Sequence, residues 1–289
     1  MSIFNSIISI LFDGLAYAMF LFIVSVGLSV TMGLMGFVNL AHGAFAMAGG
    51  YLVLTLTGSL GVPFFLALVV TFATVAVVSV IFERTLYARL YRASELDQVL
   101  LTIGLAFMAV AAYTYVYGPS PRTIVLPSYL TGQIDGGIRS FPVYRVFVIA
   151  VGGALITVLW YAFERTNIGA KIRAAVDNRR MAQSIGIDVD RLFTFTFAAG
   201  SGLAALGGGL SIQLFGLSPS FALVYLVFFL LVVAVGGLGS LKGTLAAALI
   251  LGVFDTAGKY VFAGLGGFII YAVAVVILLA KPAGLDGRE

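Results

Sequence analysis

Residues 7–32 read IISILFDGLAYAMFLFIVSVGLSVTM, a run that carries one charge, Asp13, and no lysine or arginine. About 20 consecutive apolar residues let a helix cross the hydrocarbon of a bilayer, so this stretch predicts a membrane span. The same pattern recurs outward from it. Apolar stretches lie at about 38–57, 62–82, 98–117, 143–163, 193–215, 222–238, 243–262 and 265–280. With the first they give nine candidates, and an all-α bundle of about eight or nine transmembrane helices is expected. The second and seventh are short and rich in glycine.

Composition leads to the same place. Of 289 residues, 61% are hydrophobic and 10% charged, and mean hydropathy is +1.13. A soluble domain carries about 25% charged residues, so this chain cannot cover a water-facing surface of its size. A soluble enzyme on one anchor is excluded, because nothing remains to build it. Cysteine is absent and His42 is the single histidine. Disulfides, thiolate or multi-histidine metal sites and a cysteine nucleophile are therefore not expected. The first basic residue is Arg84, so the basic n-region of a cleaved signal peptide is missing.

Loop charge sets the expected direction. Arg84, Arg89 and Arg92 follow the third stretch, and Arg165, Lys171, Arg173, Arg179, Arg180 and Arg191 follow the fifth. Lys242 lies between the seventh and eighth, and Lys281 and Arg288 follow the ninth. Cytoplasmic loops retain Lys and Arg, so these twelve are placed inside, with Arg122, Arg139, Arg145 and Lys259 outside. The N-terminus is then outside and the C-terminus inside. The net charge of +4 marks a membrane orientation and not a nucleic-acid surface.

Two loops stand out. Residues 118–142, outside, hold Pro119, Pro121, Pro127 and Pro142 with Gly136–Gly137, which predicts a rigid irregular loop with room for a short hairpin. It serves either as a connector or as a docking surface for an external partner. Residues 164–192, inside, contain a short helix signal. Asp177 is a natural N-cap, Asn178 to Ile185 form the helix, and Gly186 is its stop. Met181 and Ile185 make a small apolar face flanked by Arg179, Arg180 and Gln183. A free helix this short is marginal in water, so the bundle or a cytoplasmic partner must support it.

Within the spans, Ser201, Ala205 and Gly209 repeat at every fourth residue, as do Gly200, Ala204 and Gly208. Such rows let helices approach closely in lipid. Four polar groups fall at membrane depth: Asp13, His42, Asp255 and Lys259. Asp255 and Lys259, at i and i+4, are expected to pair. Asp13 lies near the outer end of its span. Asn39 and His42 sit in Gly36-Phe-Val-Asn-Leu-Ala-His-Gly43, which reads either as a packed turn or as a kinked helix start lining a path. A second break, Gly236-Gly-Leu-Gly-Ser-Leu-Lys-Gly243, precedes the eighth stretch much as the first precedes the second, which suggests two weakly related halves. Its Lys242-Gly243-Thr244 order is not a Walker A loop, and no nucleotide site is expected.

These segments resemble a known family. Gly36 to Gly43 is similar to the N-x-A-H-G segment of permeases of the branched-chain amino acid ABC transporter family, LivH type. Arg173-Ala-Ala-Val-Asp177 with Ala182, then Gly186-Ile-Asp188 and Arg191, resembles the family's cytoplasmic coupling loop. Val235-Gly-Gly-Leu-Gly-Ser240 with Lys242-Gly243 resembles its glycine-rich motif, represented by Gly236, Gly237, Gly239, Ser240 and Gly243. Glu83-Arg84 also fits, and the resemblance covers nearly the whole chain in order.

The resemblance implies one permease domain over 1–289 in the cell inner membrane. It implies pairing with a second, related membrane subunit, two cytoplasmic ATPase subunits that bind the ATP and Mg, and a periplasmic substrate-binding protein. This chain itself would hold no cofactor and catalyse nothing. The coupling helix carries over onto Asp177–Gly186, and Asn39, His42 and Gly43 are expected along the substrate path. Transport would be alternating access for branched-chain or other hydrophobic amino acids, with urea or short amides as the alternative cargo. Two further classes are compatible with parts of the sequence: a stand-alone transporter or channel built on Asp255–Lys259, and an intramembrane hydrolase using Ser201 and His42.

Overall fold

The computed structural model describes residues 3–36, 38–90, 93–136, 139–262 and 264–287. Phe37, Arg92, Gly137 and Arg288, which figure above, lie outside the described residues. The chain runs through α1 (Ile3–Met35), α2 (His42–Gly58) and α3 (Phe64–Phe82), which continues as a π-turn, Glu83–Tyr87, into α4 (Ala88–Leu90). Next come α5 (Glu95–Tyr117), the hairpin β1 (Gln133–Asp135) and β2 (Ser140–Pro142), and α6 (Val143–Arg165). Two short helices follow, α7 (Asn167–Asp177) and α8 (Arg179–Ser184). The rest is α9 (Val189–Phe215), α10 (Phe221–Gly236), α11 (Leu241–Val261) and α12 (Gly266–Ala280).

Each of the nine apolar stretches coincides with a helix. Among the described residues, six helical runs are long and apolar enough to cross a membrane: α1, α3 with its extension, α5, α6, α9 and α11. α10 and α12 are shorter apolar helices of 16 and 15 residues, and α2 has 17.

α1 is the central post. Ala18 and Phe20 to Val24 have no exposed surface, so the middle of the helix is enclosed on every side, as a stretch apolar all round should be. It packs against α11, α9, α6 and α10, while α2 and α3 close on α9. The two small-residue rows of α9 make these approaches possible. A Cβ on Gly27 would lie 2.5 Å from the Gly200 carbonyl, and one on Gly208 would overlap Ala46 of α2. Lipid offers helices no hydrophobic drive to associate, so such close packing supplies it. α5 and α6 lie at the periphery and turn Phe107, Met108, Val158 and Tyr161 outward.

The proline-rich loop contains the hairpin, registered Gln133 to Pro142, and a second tie in which Arg122 and Leu217 exchange backbone hydrogen bonds.

Candidate functional site

The basic segment after α6 folds as two helices where sequence predicted one. At Thr166 the backbone turns extended, and its hydroxyl accepts from the Gly169 amide. Gly169 lets α7 fold back on α6, since a Cβ there would strike the carbonyls of Ala162 and Phe163. The Arg173 guanidinium donates to the Phe163 carbonyl and so satisfies an orphan acceptor at the end of α6. α7 buries Ile172 and Ala175. Val176 reaches the α10–α11 turn, where its Cγ1 would stand 3.1 Å from a Cβ on Gly239.

α8 begins one residue later than expected. Asn178, not Asp177, is the N-cap: its Oδ1 accepts from the Met181 amide at 3.0 Å. Asp177 is instead the last residue of α7, a helix that the single-helix expectation left out. The stop is at Gly186 as predicted. Gly186, at φ 85°, donates to Gln183 while Ile187 donates to Ala182, the paired bonds of a Schellman ending. Ala182 faces inward and is buried, whereas Met181 and Ile185 are 61% and 70% exposed.

Beside α8 lies a groove of about 670 Å³, lined by Glu83, Arg84, Arg180, Gln183, Asp190 and Thr194 among others. Its walls are tied across the fold. Thr194 Oγ1 donates to Glu83 Oε2 at 2.9 Å, and Arg179 bridges to Asp190 at 3.5 Å while stacking 4.5 Å over Phe193. The sequence places Glu83-Arg84 in a family pattern, and nothing local in it joins the pair to α8. The visible signal was a Glu-Arg pair ending an apolar run.

Asn39, His42 and Gly43 form a buried turn that borders neither this groove nor the cavity described below. Asn39 Oδ1 accepts from the Ala41 amide and from Tyr87 Oη, each at 3.1 Å. His42, 1% exposed, places Nε2 3.0 Å from the Val24 carbonyl, which can only accept, so Nε2 carries the proton. Gly43 seats against the Ala222 carbonyl of α10.

The glycine-rich motif is a junction. Ser240 caps α11 by accepting from Gly243 N at 2.9 Å, and its hydroxyl donates to Asp286. Gly239 donates to Ser29 of α1, and Ser29 donates weakly to Gly237 O. Leu285 and Asp286 donate to Val235 and Gly236, which stitches the C-terminal segment to the motif. Lys242 pairs with Glu164 at 3.3 Å, joining α11 to the end of α6.

At the other end of the bundle, Lys259 pairs with buried Asp255 as expected. Asp13 pairs with Arg145 of α6 and accepts from Tyr260 Oη at 2.7 Å. Among the described residues there is no cluster of His, Cys, Asp or Glu fit for a metal ion.

A packed bundle of apolar helices, with a capped helix and a charged groove at its basic end, is the architecture of a multi-pass membrane protein. The family described as "Branched-chain amino acid transport system / permease component" matches residues 10–278, and the chain belongs to it. It is thus a permease and not an enzyme. Among its relatives, the "High-affinity branched-chain amino acid transport system permease protein LivH" of Salmonella typhimurium is 25% identical, over 96% of this chain and 94% of that protein. The corresponding protein BraD of Pseudomonas aeruginosa is 25% identical, over 96% and 95%. "PsaBC from Streptococcus pneumoniae in complex with Fab" shares the fold, with a TM-score of 0.51 at 15% identity, covering 93% of this chain and 89% of that one.

Proposed function

We propose that the chain is one membrane half of an ATP-driven importer for branched-chain amino acids in the cell inner membrane. It crosses nine times with its N-terminus outside, and works with a second permease subunit, two cytoplasmic ATPase subunits and a periplasmic binding protein. The observation that carries this is α8. A helix of six residues, fixed at both ends by caps, turns Met181 and Ile185 to solvent beside a charged groove. Exposed apolar side chains on an otherwise marginal helix suit a partner that completes their burial.

Movement of an ATPase against α8 reaches the bundle by two routes. One runs through α7 and Val176 to the glycine junction at Gly239. The other runs across the groove by Thr194 and Glu83 to the π-turn, and through Tyr87 to Asn39 at the head of α2. Asn39 and His42 then act by holding the turn that moves, and the path between the two membrane subunits opens alternately to each side. The large loop 118–142 receives the binding protein, and the substrate class follows that of the named relatives.

The test is co-purification of the ATPase subunits and uptake of radiolabelled leucine. Met181→Asp with Ile185→Asp, paired charge reversal at Arg179 and Arg180, and Gly186→Pro should each cut both by about tenfold or more, as loss of a central apolar anchor does. Wild-type assembly and uptake in all three would overturn the assignment.

A further inference from the structure

A second cavity lies apart from the groove beside α8. It lies between α1, α6, α7 and α9, holds about 250 Å³, and is walled by Val26, Val30, Leu159, Phe163, Ile172 and Leu203 among others. Two of the lining residues carry hydroxyls, Thr166 and Thr196. That of Thr166 is spent on the Ala162 carbonyl and the Gly169 amide. That of Thr196 is buried without a hydrogen-bond partner. The lining is otherwise apolar and does not offer water the two to four polar partners it needs, which favours an apolar occupant.

The rim is basic. Arg165 and Lys171 are exposed and stand next in sequence to Thr166 and Ile172, which line the cavity. Among the described residues neither makes an ion pair. α6, which forms one wall, lies at the periphery, where lipid has access. Basic residues at a membrane surface attract anionic headgroups.

We propose that this cavity holds an acyl chain of an anionic phospholipid whose phosphate rests on Arg165 and Lys171. The lipid fills the wedge behind the Gly169 elbow and holds α7 against the bundle, so that α8 is presented in a fixed position. The cytoplasmic leaflet and the presentation of α8 rest on the function proposed above; the lipid site itself does not.

The test uses the full chain in vesicles containing phosphatidylglycerol with a photoreactive acyl chain, and maps the labelled peptides by mass spectrometry. Label should concentrate on residues 159–172 and 195–203. Ala199→Phe, which fills the cavity from α9, should lower that labelling about tenfold, the equivalent of roughly two displaced methylenes, and leave label on α3 and α5 unchanged. If that variant does not insert, Leu159→Trp fills the cavity from α6 and gives the same comparison. Arg165→Gln with Lys171→Gln should abolish the preference for phosphatidylglycerol over phosphatidylcholine. Even labelling of α3, α5 and α12 that ignores both cavity-filling variants overturns the proposal, as does equal labelling of wild type by the two lipids. Photolabelling needs no ATPase, so failure here is separable from failure of α8 docking.

Discussion

Two glycine turns lie beside each other at the same end of α1 and are fastened by different means. The α1–α2 turn starts at Gly36, with φ 75° and nothing within 4 Å of a notional Cβ, and side chains hold it: Asn39 to Tyr87, His42 to Val24. The α10–α11 turn is held mainly by backbone. Gly239 donates to Ser29, Val235 and Gly236 accept from Leu285 and Asp286, and Gly33 of α1 packs directly on Gly239. Both sequences read alike, as small residues before an Ala-rich helix. What differs is tolerance. A side-chain latch can be cut one bond at a time, whereas a backbone junction rejects any added atom.

The largest effect is therefore expected at the backbone junction. Gly239→Val must adopt φ 76° and place its branched carbon between Gly33 and Val176. Left-handed backbone costs about 1–2 kcal/mol and overpacking about 1–3 kcal/mol, so a loss of roughly 2–5 kcal/mol is expected. Thermal inactivation of the purified protein, followed by size-exclusion recovery, measures it. A change smaller than that of the next variant would break the contrast between the turns.

His42→Ala comes second. It removes the ring that ties α2 to α1 at Val24, and loss of one buried partner costs about 1–3 kcal/mol. Gly36→Ala, in open space, should lose only about 1 kcal/mol, from its backbone angle alone. Should Gly36→Ala prove as damaging as Gly239→Val, conformation rather than close packing sets the cost at both sites.

The contrast also explains what was legible. Apolar runs marked nine of the twelve α-helices among the described residues, because lipid demands an apolar exterior as well as an apolar core. α8 and its Gly186 stop were legible because capping is local chemistry. The N-cap was misplaced by one because Asp177 and Asn178 are equally good caps, and choosing between them needs the length of α7. α7 itself was hidden: its fold-back depends on Gly169 meeting carbonyls of α6 and on Arg173 reaching Phe163. The partners of the polar groups were hidden for the same reason. Nothing local connects Tyr87 to Asn39, 48 residues away, or Glu83 to Thr194, 111 residues away.

Tyr87→Phe is the smallest change and the sharpest probe of the latch. It deletes one hydroxyl, while Asn39 Oδ1 keeps its bond from the Ala41 amide, so the stability loss should be only about 0.5–1.5 kcal/mol. The ring stays, including its tilted contact with Phe197, with centroids 4.8 Å apart. If the latch only builds the fold, uptake should fall no further than the amount of assembled protein. If it carries motion from the groove to α2, leucine uptake per assembled complex should drop while ATPase binding is kept. Asn39→Ala removes both of the Asn39 bonds and should lower the same ratio further. Equal ratios for wild type, Tyr87→Phe and Asn39→Ala would reduce this turn to packing and leave the α7–Gly239 route as the one connection from α8 into the bundle.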